Sequence, residues 1–544
     1  MTRSRSLLVG ALVLGALVVP AAGAQAATRA ANPHAASCAD SWKSPVSGLW
    51  GVPGNWSNGI PTNTDSVCIT LPGTYTVTLA PWSIGTADPN SAGANVSSLS
   101  LGSVSGAGTQ TLDILGQGST SNSNEQVSTV FLSVAATSTI TAHGNLVLQS
   151  TNGGTTLPGN PSGGYAAVSG ASFLNYGSVE TETEAPTNKL ANFTQFEAHL
   201  VNEAHASVHD LSGQLQVDAV TNKGSFNVAA GASMSLVPLQ GEYGAPASFT
   251  NLGALTNDGS ITANQTVGNV TFTQAGGPIK GNEVVIGGGA ALVDKSGAAQ
   301  FLVNSISAKI TGRIPAGQKL TVEGEAYNSS GNNYNGTTIN LNGATLVNDG
   351  TIVLDAQGST NKSGGPVVVN DGSIRNAGTI LAEVQDPSWN VQYAAGLANT
   401  RTGTLSVSGG TFVDTSAAVS NDGTVKLGPE APYLLEGGAA FTNKSDGTIV
   451  PQIASSKSFG QFELSSPCCS GPGRFLAGGD LMPAILGHLP AANTEFQLFQ
   501  LTGGSFKGTF SRLGNRFTAD YAHETASPAY VGAVYEESGK KAKS

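Results

Sequence analysis

Charge is the first thing this sequence has little of. Only 11% of the 544 residues are Asp, Glu, Lys or Arg, against about 25% in an ordinary globular domain. Lys and Arg together number 24 against 35 acidic residues. A chain so poor in cations has no electrostatic footprint for a phosphate backbone or an anionic lipid surface, so nucleic-acid and membrane-surface partners are excluded as expectations. Long apolar runs are also scarce. The longest, Leu7–Val19, spans 13 residues, short of the roughly 20 that cross a bilayer, and membrane insertion is not expected. Cysteine is limited to Cys38, Cys68, Cys468 and Cys469. No CxxC pair occurs, no HExxH occurs, and the seven histidines are scattered. The usual zinc spacings are therefore missing, and neither metal nor cofactor is expected. Phosphate-binding GxxxxGK[ST] loops and a GxSxG elbow in a strand–turn–helix setting are missing too, which removes nucleotide hydrolysis and serine-triad chemistry.

What the chain does contain begins at its first residues. Arg3 and Arg5 precede the apolar run, and Pro20 leads to the small-x-small site Ala24-Gln25-Ala26. This is the pattern of a secretory signal peptide over residues 1–26. The arginines are not adjacent, so a twin-arginine signal is not indicated. Cleavage would leave 518 residues with 22 basic and 35 acidic side chains, a net charge of −13. The expectation is a secreted protein, extracellular or loosely associated with the cell surface, and monomeric. Export makes disulfides available. Four cysteines allow three pairings; the favoured one is Cys38–Cys68, which closes a short loop. Cys468 and Cys469 are left as a vicinal bridge or as thiols.

Glycine supplies 71 residues, near twice the ordinary share of about 7%, and much of it belongs to one recurring phrase: apolar-x-Asn-x-Gly-Ser/Thr-apolar. It occurs at Phe173–Val179, Val220–Phe226, Leu255–Ile261, Leu346–Ile352, Val368–Ile374, Ile374–Ile380 and Val419–Val425, with an Ala variant at Phe249–Leu255. Phe441–Ile449 carries the phrase with two residues inserted, and Leu200–Val208 is a degenerate copy. Asn348 to Asn370 is 22 residues, Asn376 to Asn421 is 45, and Asn421 to Asn443 is 22. A fixed period in the twenties is the mark of a solenoid. The flanking Val, Ile, Leu and Phe favour strands, and Asn and Gly favour tight corners. Two phrases six residues apart, as at Val368–Ile380, read as successive corners of one coil. Stacked corner asparagines would form an amide ladder, as side-chain ladders do in other stacked sheets. At Gly372 and Gly378 either a positive φ or a close approach is predicted. Helical periodicity is nearly absent; the stretch 188–209 is the one place to test for it, and strand-forming residues break it.

The fold class is thus all-β, a right-handed parallel β-helix of ~22-residue coils. Residues 27–95 read as an N-terminal capping module rich in Trp, 96–457 as the repeat body and 458–544 as a closing β segment. The stretch Gly48–Ile69, with Trp50, Asn55-Trp56-Ser57, Gly59, Pro61 and Asp65, resembles the entry motif of bacterial secreted β-solenoid proteins of the autotransporter-passenger type. Gly504-Ser-Phe506 and Gly508-Thr-Phe510 stand where the closing segment of such proteins has its G-x-F phrase. The insertion Pro467–Gly473 departs from that pattern. No run of ~10-residue amphipathic strands for an outer-membrane barrel follows, so a complete autotransporter is not expected. The resemblance implies an extracellular structural or adhesive surface, presented to glycan or cell envelope.

Three constellations carry possible chemistry. Glu180, Glu182 and Glu184 alternate along one strand, which sends all three the same way, and they are the acid–base candidates for a second reading: a polysaccharide lyase or glycoside hydrolase on the same scaffold. Trp389, in the insertion Val384–Tyr393, is the candidate for stacking on a sugar, or a plug for the core. His205 and His209, four apart, would need a helix to converge on a metal. The corner Asp residues of the Asn-Asp-Gly turns offer one carboxylate each, too few for calcium.

Overall fold

The computed structural model describes residues 38–81, 91–117, 128–151, 164–184, 192–239, 246–264, 269–324, 336–356, 365–385, 389–415, 418–466, 471–524 and 529–536. Cys468, Cys469, Asp386 and the signal segment lie outside them. Among the described residues there is no α-helix; Pro53–Asn55 forms a short 3-10 turn. Everything else regular is strand.

One coil shows how the sequence makes the fold. Val367–Asn370, Ser373–Asn376 and Thr379–Val384 are its three strands, separated by two-residue corners. Each pairs in parallel with a strand of the next coil: Val369 lies beside Tyr393, Ile374 beside Leu397 and Ile380 beside Leu405. The doubled phrase of the sequence is therefore two corners of one turn. Along each strand every second residue points inward and is buried, among them Val367, Val369, Ile374, Ile380 and Ala382, while the alternate residues, Val368 and Leu381 included, are partly or fully exposed. The same scheme runs from Ser66–Ile69, which pairs with Ser98–Leu101, to Arg474–Ala477, which pairs with Ser505–Gly508. The architecture is a parallel β-helix, in keeping with the right-handed winding that parallel crossovers take. The stretch with the one trace of helical periodicity forms the strands Phe193–Asn202 and Ser207–Asn222.

The glycines explain how tight the corners are. At Gly372, φ is +152° and a Cβ would stand 2.4 Å from the Ala344 carbonyl oxygen. Gly378 has no left-handed φ, yet a Cβ there would stand 2.2 Å from the Gly350 oxygen of the preceding coil. The cause at Gly378 is close stacking of corner on corner rather than backbone conformation.

Two amide ladders run along the stack. In the first, Asn175 donates to Asn202, Asn202 to Asn222, Asn222 to Asn251 and Asn251 to Gln274, at 2.8–3.0 Å. In the second, the order is Asn348, Asn376, Asn399, Asn421, Asn443 at 2.7–2.8 Å. In most rungs the same amide also caps a backbone carbonyl of the next corner, as Asn376 does at Thr404 and Asn399 at Thr424. The rungs are 27, 20, 29 and 23 residues apart in the first ladder and 28, 23, 22 and 22 in the second. The ~22-residue period is therefore a central value: the second ladder keeps to it in its last steps, coils between the ladders shorten to 17–19 residues, as from Val284 to Phe301 and from Phe301 to Leu320, and longer coils carry loops.

The core is a column. Phe249 stacks on Phe272 at 5.2 Å with rings 1° from parallel, and Phe462 stacks on Phe499 at 5.3 Å. The N-terminal end is closed by Trp42, Trp50 and Trp56, all buried. Trp56 meets the other two edge-on at 5.0 and 4.8 Å and donates its indole N–H to the Trp50 carbonyl at 2.6 Å. The Cys38–Cys68 disulfide ties this end down, with Cα atoms 5.7 Å apart. At the other end the strand Ala529–Tyr535 runs antiparallel to Glu495–Thr502 and to Phe517–Asp520. Parallel stacking stops there.

Candidate functional site

Function on a solenoid resides on its outer face, because the interior is filled. The strand Ser178–Thr183 sends Val179, Thr181 and Thr183 inward and Glu180 and Glu182 outward; Glu184 follows on the same side and is exposed. The alternation read from the sequence holds. Glu180 stands in register with Val147 on one coil and His209 on the next, and Glu182 with Gln149 and Ser212. No lysine or arginine occupies those neighbouring positions. The inward Thr181 between them hydrogen-bonds Asp210 at 3.0 Å and does not reach the outer face. The three carboxylates thus form a row on an open sheet surface. A hydrolase needs an acid and a base facing each other across a substrate; the described residues in register with Glu180 and Glu182, which are Val147, His209, Gln149 and Ser212, include no second carboxylate.

His205 and His209 do not form a pair either. His205 occupies an exposed corner with φ +73°, and His209 lies mid-strand. Four residues of extended chain separate them by roughly 13 Å. Trp389 is half-buried and packs against the core; it precedes the strand Asn390–Tyr393.

The outer surface has a depression at residues that the sequence motifs do not single out. It holds about 470 Å³ and crosses the strands Thr345–Asn348, Ser373–Asn376, Gly396–Asn399, Ala418–Asn421 and Ala440–Asn443. These strands are the ones that bear the second Asn ladder on their ends. Their outward positions form two columns: Thr345, Ser373, Gly396, Ala418 and Ala440 in one, Arg375, Ala398, Ser420 and Thr442 in the other. Side chains this short leave the sheet bare between Arg375 on one side and Arg474 with the exposed Leu476 on the other. The signal is present in the sequence as small-apolar-x-Asn: Gly396-Leu-Ala-Asn399, Ala418-Val-Ser-Asn421, Ala440-Phe-Thr-Asn443. The recurring phrase begins at the apolar residue, one place after the small one, and so leaves it out. A second depression, of about 400 Å³, lies beside Trp50, Ile60 and Gly93 at the N-terminal end. Neither includes Glu180, Glu182 or Glu184.

Among the described residues no helix is long and apolar enough to cross a membrane. No family model matches the chain. No curated protein matches it. Among solved structures, a TibC-catalysed hyper-glycosylated TibA55-350 fragment is similar at 10% identity, with a TM-score of 0.18, covering 74% of this chain and 99% of that one. That degree of likeness carries no functional argument.

Proposed function

We propose that this protein is a secreted structural or adhesive β-helix, working as a monomer outside the cell or loosely held at its surface, and offering a repetitive outer face to glycan or cell envelope. The observation that carries this reading is the unbroken stack of coils closed at both ends, whose outward carboxylates stand in a row on an open face. The signal-peptide pattern at residues 1–26 and the scarcity of cations support export and argue against nucleic acid as a partner. The place best shaped for a glycan is the depression over Gly396, Ala398, Ala418 and Ser420, which lets a flat polymer approach the sheet; Trp389 lies within the same coils and is the aromatic to test for stacking.

The mature protein incubated with a panel of acidic and neutral polysaccharides, with and without calcium, is expected to produce no new reducing ends and no unsaturated product absorbing in the ultraviolet. Weak retention on one or more of them is expected, and Ala418→Trp, which fills the depression, should abolish it. Turnover that disappears in a Glu180/Glu182/Glu184→Gln variant would replace this reading with a lyase or hydrolase on the same scaffold.

A further inference from the structure

The closing segment brings together three side chains that are far apart in sequence. Its central strand, Ala529–Tyr535, has Glu495–Thr502 on one side and Phe517–Asp520 on the other. Glu495 stands opposite Val534, and Asp520 opposite Gly532. Residues two apart on a strand share a face, so Tyr530, Gly532 and Val534 share one with Glu495 and Asp520. His523, three residues past Asp520, folds back on to it: its ring stacks on Tyr530 at 4.5 Å and 15°. One donor atom from each of Glu495, Asp520 and His523 lies within 4.8 Å of the others, and His523 Nε2 is 3.6 Å from Asp520 Oδ2.

We infer that Glu495, Asp520 and His523 form a binding site for a divalent cation of the zinc type. Beyond the donor set, two observations point to a ligand. Glu495 Oε1 is buried and has no hydrogen-bond donor of its own; the Tyr530 hydroxyl bonds the same carboxylate, which leaves this one oxygen of a charged group short of a partner. The carboxylate also reaches this position across Gly532: a Cβ there would stand 3.0 Å from Oε1, so the backbone is kept bare where the Glu495 side chain passes toward Asp520. Among the described residues no lysine or arginine pairs with either carboxylate, and two carboxylates this close repel unless a cation lies between them. Asp520 is held in place because its other oxygen, Oδ1, accepts the Ala522 N–H at 2.8 Å, leaving Oδ2 facing His523. One imidazole and two carboxylates suit zinc, which takes three protein ligands and keeps a fourth place for water. Tetrahedral bonds of about 2.0 Å set donors roughly 3.3 Å apart, a contraction that side-chain rotation supplies. The imidazole argues against calcium and magnesium, which take oxygen ligands. Such an ion would tie the last two strands to Glu495–Thr502 and so lock the end of the stack.

The test is metal uptake by the mature protein, made without a histidine tag and first stripped with chelator. Cobalt(II) serves as the visible reporter and zinc as its competitor. One equivalent of cobalt should give the visible absorption of a low-coordinate nitrogen–oxygen site, displaced by one equivalent of zinc and untouched by a hundredfold excess of calcium or magnesium. His523→Ala and Asp520→Asn should each weaken uptake tenfold or more, while His205→Ala/His209→Ala leaves it unchanged. Circular dichroism of each variant shows that the strands remain. A folded Asp520→Asn protein that binds zinc as the parent does, displacement by calcium, or no uptake at all would overturn the site.

Discussion

The place after the last rung of the first ladder is taken by a residue that is not an amide. Asn175, Asn202, Asn222, Asn251 and Gln274 are followed in register by Asp294, which is fully buried. A carboxylic acid that keeps its proton resembles an amide, with one donor and one acceptor. Burial pushes the Asp294 carboxyl up to about 7, against the hydrogen bonds of Gln318 and the Lys295 backbone, which lower it. Asp210, also buried, is likewise raised to about 7, with Thr181 opposing. The sign is the reverse of the usual acid denaturation. The folded chain holds these protons where the unfolded chain has released them, so their contribution is complete below about pH 4 and is lost as pH rises toward 7. Each group contributes on the order of 2–4 kcal/mol to that slope. Melting temperature is therefore expected to be higher at pH 5 than at pH 8. Asp294→Asn should flatten the difference and raise stability at pH 8. A melting curve that rises steadily from pH 5 to pH 8 would show that both carboxyls ionise freely in the fold.

At the scale of the coil, the doubled phrase at Val368–Ile380 separates two kinds of asparagine. Asn376 is a ladder rung, bonded to Asn348 and Asn399 and to the Thr404 carbonyl. Asn370, six residues earlier and set in the same phrase, pairs in register with Asn340 and belongs to no ladder. Substituting a rung leaves its neighbours' buried amides unsatisfied, so Asn399→Ala should cost roughly 2–4 kcal/mol, against about 1 kcal/mol or less for Asn370→Ala. Gly378→Val should cost roughly 1–3 kcal/mol or more through its clash with the Gly350 carbonyl. Urea titrations of the three variants compare them directly; equal midpoints for Asn399→Ala and Asn370→Ala would remove the ladder as a source of stability. The difference explains what was legible. Strand, corner and period are local properties of Asn-x-Gly and its apolar flanks, and a single copy states them. Whether an asparagine becomes a rung depends on what the next coil places beside it. Asn257 illustrates the point: its phrase is perfect, but the facing residues are Val228 and Gly281, and its amide turns to the carbonyls of Asn282 and Glu283. The cluster at Glu495, Asp520 and His523 was illegible for the same reason, since it is made by residues of different strands that share no motif; the depression over Gly396–Thr442 does have a repeated signal, small-apolar-x-Asn, but only the stacking of coils turns those small residues into one bare column.

For the whole molecule, the consequence of stacking is that stability is distributed coil by coil. Each coil touches only its neighbours, so the free energy is a sum of coil and interface terms, and opening starts at an end or at a weak interface. The two ends are closed differently. The N-terminal end relies on three tryptophans and the Cys38–Cys68 bond across a 30-residue separation. The C-terminal end relies on stacked aromatics, Phe441 on Phe475 on Phe506, and on an antiparallel strand that ends parallel pairing. Removing the disulfide of a small loop costs about 2–5 kcal/mol, but in a one-dimensional stack that loss falls on the coils next to it. Hydrogen exchange on Cys38→Ser/Cys68→Ser is therefore expected to show faster exchange in the strands Ser66–Ile69 and Tyr75–Leu79, fading over the next one or two coils. The ladder strands Ser373–Asn376 to Ala440–Asn443 should exchange as slowly as in the parent. Trp56→Ala, which opens the same end without touching the disulfide, should reproduce that gradient. If either variant instead speeds exchange evenly along the chain, the stack unfolds as one cooperative unit, and the coil-by-coil account of its stability fails.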